Sequence, residues 1–182
     1  MNPETLSVCT GATQTRAQAW ALPITSAMSQ YQIDSPVRQA AFLAQIGHES
    51  GGMNWTSELW GPTAQQDKYE PPSELATELG NTQPGDGKLF RGRGLIMITG
   101  RANYAAVGQS LCLDCTNNPD LLSQPEWAAL SAAWWWQTHR LNELADAGNF
   151  QQITRVINGG LTGEADRERL WTAAKQALGV SP

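Results

Sequence analysis

A chain of 182 residues, 41% of them hydrophobic and 16% charged, is long enough for one domain with a substantial core. Its net charge of −5 argues against a nucleic-acid binder, which needs a basic surface, and no stretch approaches membrane-spanning length. The 8 Trp outnumber the 3 Phe and 3 Tyr, a bias that suits stacking on sugars even when most such rings fill a core.

The amino-terminal MNPETLSVCT has no basic run leading into an apolar one, so it does not read as a signal peptide, and the protein is expected to accumulate in the cytoplasm where it is made. Residues 15–30 predict a helix, kinked or interrupted at Pro23. Next comes a helix over 36–50. Ser35 suits its N-cap, and Pro36 suits the first helical position because the missing N–H would be unpaired there anyway. Val37, Ala40, Ala41 and Ala44 form one stripe, and Phe42, Leu43 and Ile46 cover much of the rest, so this helix is buried on most sides. Gly51-Gly52 ends it. Glu49 then sits in the last turn of a buried helix, where desolvation and the negative end of the helix dipole both favour the protonated acid. That is the state a general acid needs.

Residues 53–90 are turn-rich, with one short helical piece near Ser73–Leu79, and excursions of that length in compact domains usually serve function. Residues 88–99, KLFRGRGLIMIT, predict a short strand or hairpin. Further helices are expected from Asn103, over about Pro125–Leu144, over 150–158 after Asn149, and over about Glu164–Leu178. The total reads as mainly α with a small β element, and one domain spanning 1–182 is expected, with no internal repeat and no linker rich enough to set off a second module.

His48-Glu49 could begin a zinc site, but a zincin needs a second His at position 52, which is Gly. Cys112-Leu-Asp-Cys115 offers half a zinc site without a second cysteine pair, so with Cys9 these read as free thiols, the loop pair able to oxidise. No metal and no cofactor are expected. His48 reads as a hydrogen-bonded residue at the helix end. Glu49 and Glu58, separated by a glycine-led turn, can face one another across a groove, one to protonate a leaving oxygen and one to activate water. Taken alone the pair is a weak signal, since the chain has 17 acids and Glu58 also reads as a solvated loop residue.

The segments RQAAFLAQIGHESGG, TSELWG, GDGKLFRGRGLIMITGRANY and ITRVINGGLTGEADRERLW, in that order, resemble the glycoside hydrolase family 19 domain. The likeness covers roughly residues 15–178 and is greatest to the phage endolysin and lysozyme-like branch, with chitinases more distant. It implies a mainly α, lysozyme-like α+β fold with a deep cleft, and an inverting glycosidase that needs no cofactor. It implies Glu49 as general acid, Glu58 as the second acid with Glu70 as its competitor, and Thr99 as a holder of the attacking water. Sugar contacts are implied for His48, Trp60, Tyr69, Met97, Asn103, Tyr104 and Asn158, and a cleft role for Arg167, which matches the family arginine that pairs with acids there. Met97 departs from the family, which usually has Gln at that position; methionine keeps the length and loses the amide. The implied function is a monomeric peptidoglycan-degrading endolysin. It would cut the β-1,4 bond between N-acetylmuramic acid and N-acetylglucosamine in bacterial peptidoglycan glycan strands, reaching the wall from the host cytoplasm through a holin-type pore. A chitinase, or a wall-binding protein that does not cut, are the alternatives.

Overall fold

The computed structural model describes residues 1–180. Ten α-helices follow in chain order: α1 (Pro3–Thr10), α2 (Gln14–Gln30), α3 (Pro36–Glu49), α4 (Glu74–Glu78), α5 (Asp86–Leu89), α6 (Arg101–Leu111), α7 (Pro125–Thr138), α8 (Leu141–Asp146), α9 (Phe150–Asn158) and α10 (Glu164–Ala177). Two 3₁₀ turns, Gln66–Tyr69 and Pro119–Ser123, sit in the connections. None of the described helices is long and apolar enough to cross a membrane.

Helix α3 is the axis of the molecule. The Ser35 side chain accepts from the Arg38 N–H as its N-cap, and every residue from Ala40 to Gly47 is buried. It packs against α10, α1 and α8, while α2 packs on α7. Gly47 lets α3 lie directly on the backbone of Thr10, since a Cβ there would stand 2.6 Å from the Thr10 carbonyl oxygen. The main core includes Trp20, Phe42, Leu43, Ile46 and Trp136. A second, smaller cluster, which includes Phe90, Ile98, Tyr104 and Leu122, lies under residues 90–107. Ile96, Trp134 and Trp135 pack against both clusters and join them.

Helix α2 runs through Pro23 without interruption, which leaves the kinked form of the two expected there. Two expectations are revised. The single helix expected over 125–144 is two, because Arg140 adopts φ +56° and turns the chain between α7 and α8. The hairpin expected over 88–99 contracts to two isolated antiparallel bridges, Ser57 with Arg93 and Arg93 with Ile98. Gly94 at φ +81° and Met97 at φ +55° curl the backbone between these rungs, so no extended ladder can form.

Candidate active site

Helix α3 delivers Glu49 at its last residue. One carboxylate oxygen, Oε1, accepts from a terminal nitrogen of Arg167, whose side chain is only 2% exposed. Arg167 also donates to the Gln45 side-chain oxygen and, through Nε, to the Thr162 carbonyl at 3.2 Å. The Gln45 amide then donates to Thr154 Oγ1 at 2.8 Å. Glu49 is thus the outer end of a buried polar chain tying α3 to α10 and α9. Among the described residues no donor reaches Oε2, the second oxygen of Glu49.

His48, one residue earlier, places Nδ1 2.7 Å from Asp166 Oδ2 on α10. That contact, helped by Arg169, holds the Asp166 carboxyl below its usual range. The His48 ring lies over Gly163 at φ +74°, where any Cβ would overlap it. His48 therefore braces α3 against the loop that starts α10.

Glu58 comes from a loop with no regular structure. Its Oε2 accepts from the Gly92 N–H at 3.0 Å, and its Oε1 from the Gln66 side-chain amide at 3.0 Å. The Glu58 backbone N–H donates to the Gly92 carbonyl at 2.8 Å. Gln66, 4% exposed, is saturated: its amide nitrogen also donates to the Leu59 carbonyl at 2.7 Å, and its oxygen accepts from the Gly61 and Thr63 N–H groups at 3.2 and 2.9 Å. Burial, and then the charge of Glu58, raise the Tyr69 hydroxyl above its usual range, which reflects how close that phenol is to the carboxylate.

Glu49 and Glu58 line the same open groove, about 420 Å³, together with Trp55, Ser57, Leu59, Tyr69, Met97 and Thr99. Met97 and Thr99 also border a smaller recess of about 160 Å³ with Asn103, Trp135 and Ile157, so the groove continues past them. A larger hollow of about 530 Å³, bounded by Met1, Thr25 and Leu178, lies at the chain termini and brings no pair of carboxylates together.

The family model described as chitinase class I matches residues 22–146 of this chain. The chain is a family 19 glycoside hydrolase. It is 38% identical over 162 residues to a glycosyl hydrolase family 19 domain-containing protein of Haemophilus influenzae, covering 75% of this chain and 78% of that one. It is 37% identical over 147 residues to endochitinase 1 of Gossypium hirsutum, covering 67% of this chain but 45% of the plant enzyme. The chain thus spans about half the length of the plant endochitinases it matches. Chitinase C from Streptomyces griseus HUT6037 shares the fold, with a TM-score of 0.75 at 22% identity over 99% of this chain and 93% of that one.

The other positions singled out by the family 19 likeness fall into two groups. Tyr69, Met97, Thr99 and Asn103 border the groove or its continuation. Thr99 donates to the Met97 carbonyl at 2.8 Å, and Asn103 donates to the Thr99 carbonyl at 2.8 Å. Trp60 is half-buried with its ring tilted against Tyr69, centroids 6.3 Å apart, and Asn158 is exposed at the end of α9. Tyr104 is a correction: it is fully buried, and its hydroxyl donates to the Arg91 carbonyl at 2.6 Å and accepts from Arg93 at 2.9 Å, so it shapes the groove wall from beneath. Burial pushes its hydroxyl up to about 12. Arg167 is likewise buried and reaches Glu49. Glu70 does not border the groove; its carboxylate accepts the Gly85 and Lys88 N–H groups at 2.8 and 3.2 Å. Gln66, Trp55 and Leu59 were not foreseen. The last two stand 49% and 73% exposed on the groove rim, and an exposed Trp beside the Gly-Gly turn was the available signal.

Proposed function

We propose that this family 19 enzyme is a peptidoglycan-degrading endolysin. It would cut the β-1,4 bond between N-acetylmuramic acid and N-acetylglucosamine by inversion, with Glu49 as general acid and Glu58 as general base. The observation that carries the acid pair is one groove lined by both carboxylates, each fixed by its own hydrogen bonds. A glycosidic oxygen is a poor leaving group, so the proton from Glu49 arrives as the C–O bond breaks and an oxocarbenium-like charge grows at the anomeric carbon. Oε1 stays on Arg167 and Oε2 carries the proton. Glu58, held by the neutral donors of Gln66 and Gly92, takes a proton from water on the opposite face, and the Thr99 hydroxyl accepts a hydrogen bond from that water. Inversion calls for about 6.5–9.5 Å between the carboxyls in the substrate complex. Glu58 supports this assignment better than Glu70, whose carboxylate is engaged by backbone N–H groups away from the groove.

The peptidoglycan reading rests on the Thr56-Ser57-Glu58-Leu59 pattern of the endolysin branch. A second reading, chitin hydrolysis by the same chemistry, is favoured by the endochitinase relatives. Borohydride reduction and mass spectrometry of fragments released from purified peptidoglycan test both. Reduced muramic acid ends are expected. Reduced glucosamine ends would move the cut to the other bond. No new ends from peptidoglycan, with cleavage of chitin oligomers, would replace the first reading by the second.

A further inference from the structure

Behind the Glu58 loop lies a separate recess of about 480 Å³, walled by Asp86, Lys88, Arg91 and Arg101. Its charges are not balanced. Asp86 is 2% exposed and engaged from within: Arg101 donates to it at 2.8 and 2.5 Å, and the Thr82 and Gln83 N–H groups at 2.9 and 3.0 Å. This pair is neutral, and the Arg101 guanidinium is pinned over the Phe90 ring at 4.6 Å. The nearby Glu70 is not part of the lining; its carboxylate accepts from the Gly85 and Lys88 N–H groups, neutral donors that leave its negative charge in place. Two cations remain. Lys88 is exposed, and among the described residues its ammonium meets no carboxylate within salt-bridge range. Arg91 donates through Nε to the Glu58 carbonyl at 3.2 Å and through one terminal nitrogen to the Lys88 carbonyl at 3.1 Å, both neutral acceptors, and among the described residues no carboxylate forms an ion pair with it. The first of these bonds makes Arg91 a shared wall between the recess and the loop that carries Glu58.

We infer that this recess receives carboxylates of the peptide branch of peptidoglycan. The inference rests on the peptidoglycan reading above and adds a reason for it. The peptide hangs from the lactyl ether of muramic acid, a sugar that flanks the bond to be cut, so its acidic residues leave the glycan strand within one sugar of the catalytic acids. Chitin has no anionic substituent there, and two cations without ion-pair partners beside the general base would do nothing for it. The recess then acts as a selector for branched over plain glycan.

The test measures binding, so that it does not depend on turnover. Calorimetry on the Glu49→Gln protein compares a peptidoglycan tetrasaccharide bearing tetrapeptide stems with the uncharged N-acetylglucosamine tetrasaccharide of the same length, because stripping the stems with an amidase would leave a lactyl carboxylate on each muramic acid. The stem-bearing form is expected to bind more tightly, by about two- to fivefold for each partly exposed ion pair. Lys88→Glu should bring the ratio close to one, and added salt should shrink it in the Lys88 protein. Lys88→Gln, which removes charge without reversing it, should lie between. Equal affinity for the two glycans, no binding of the stem-bearing one, or a Lys88→Glu effect of equal size on both would overturn the inference. Failure of the peptidoglycan reading itself shows separately, as purified wall from which the wild-type protein releases no new reducing ends.

Discussion

The two carboxylates of the groove are held in place by opposite means. Glu49 sits on the rigid, fully packed α3, and its position follows from the core: Phe42, Leu43 and Ile46 fix the helix, and Arg167, Gln45 and Thr154 fix the side chain. Glu58 has no helix or strand under it. Its position comes from hydrogen bonds alone, with Gln66 and Gly92 gripping one oxygen each. One acid is placed by packing and the other by saturated polar contacts. Packing places an acid once the fold forms, whereas a polar clamp places it only if every member is present.

Four substitutions sharpen that contrast. Glu49→Gln should lower kcat by about 10²–10⁴-fold with little change in binding, and single-turnover kinetics on wall fragments checks it. A variant that lysed walls as well as wild type would defeat the assignment of Glu49. Arg167→Met acts on the packed side and leaves Glu49 and Gln45 without their buried partner. It should cost about 3–5 kcal/mol in urea unfolding, the usual penalty for breaking a buried ion pair from one side.

Gln66→Ala acts on the clamped side. It should cost less stability, about 1–3 kcal/mol for the orphaned N–H and carbonyl groups, and should lower kcat more than it raises KM, because Glu58 loses one of its two donors. If Gln66→Ala destabilised the protein as much as Arg167→Met, the proposed difference between the two sides would collapse. The smallest effect on kcat is expected from Asp86→Asn, away from both acids. Arg101 first, and the Gln83 and Thr82 N–H groups next, hold the Asp86 carboxyl below its ordinary range. A carboxyl lowered in the folded state contributes stability above its unfolded value near pH 4, and that contribution disappears as pH falls through the lower folded value. Thermal unfolding from pH 6 down to pH 2 should therefore slope less steeply for Asp86→Asn than for the native chain.

The same contrast explains what could be read from the sequence. Helix α3 was legible to its cap and its end, since Ser35, Pro36, the apolar run and Gly51-Gly52 are all local signals. The groove was legible through a family pattern that strings Glu49, Glu58, Thr99 and Asn103 along the chain in order. The grip on Glu58 was not legible, because Gln66 lies eight residues away in a stretch without periodicity, and nothing about an isolated glutamine says that all of its hydrogen-bonding capacity is used. The hairpin over 88–99 was over-read. A run of β-branched and apolar residues predicts extension, but positive φ at Met97 depends on contacts that a propensity does not contain. Tyr104 was misplaced for a related reason: helical spacing does not tell whether a phenol points into a groove or beneath it, and here the Arg91 carbonyl and Arg93 claim its hydroxyl.

The His48 ring resting on Gly163 carries a consequence for recombination among relatives. A side chain at 163 would have to occupy the space of the imidazole, and it would also face a backbone angle of +74° that L residues seldom adopt. The connection between α9 and α10 can therefore be exchanged with that of a longer homologue only if a glycine arrives in register with position 163, or if His48 shrinks in the same step. The histidine and the glycine, far apart in the chain, thus constrain one another: a change at either position calls for a matching change at the other.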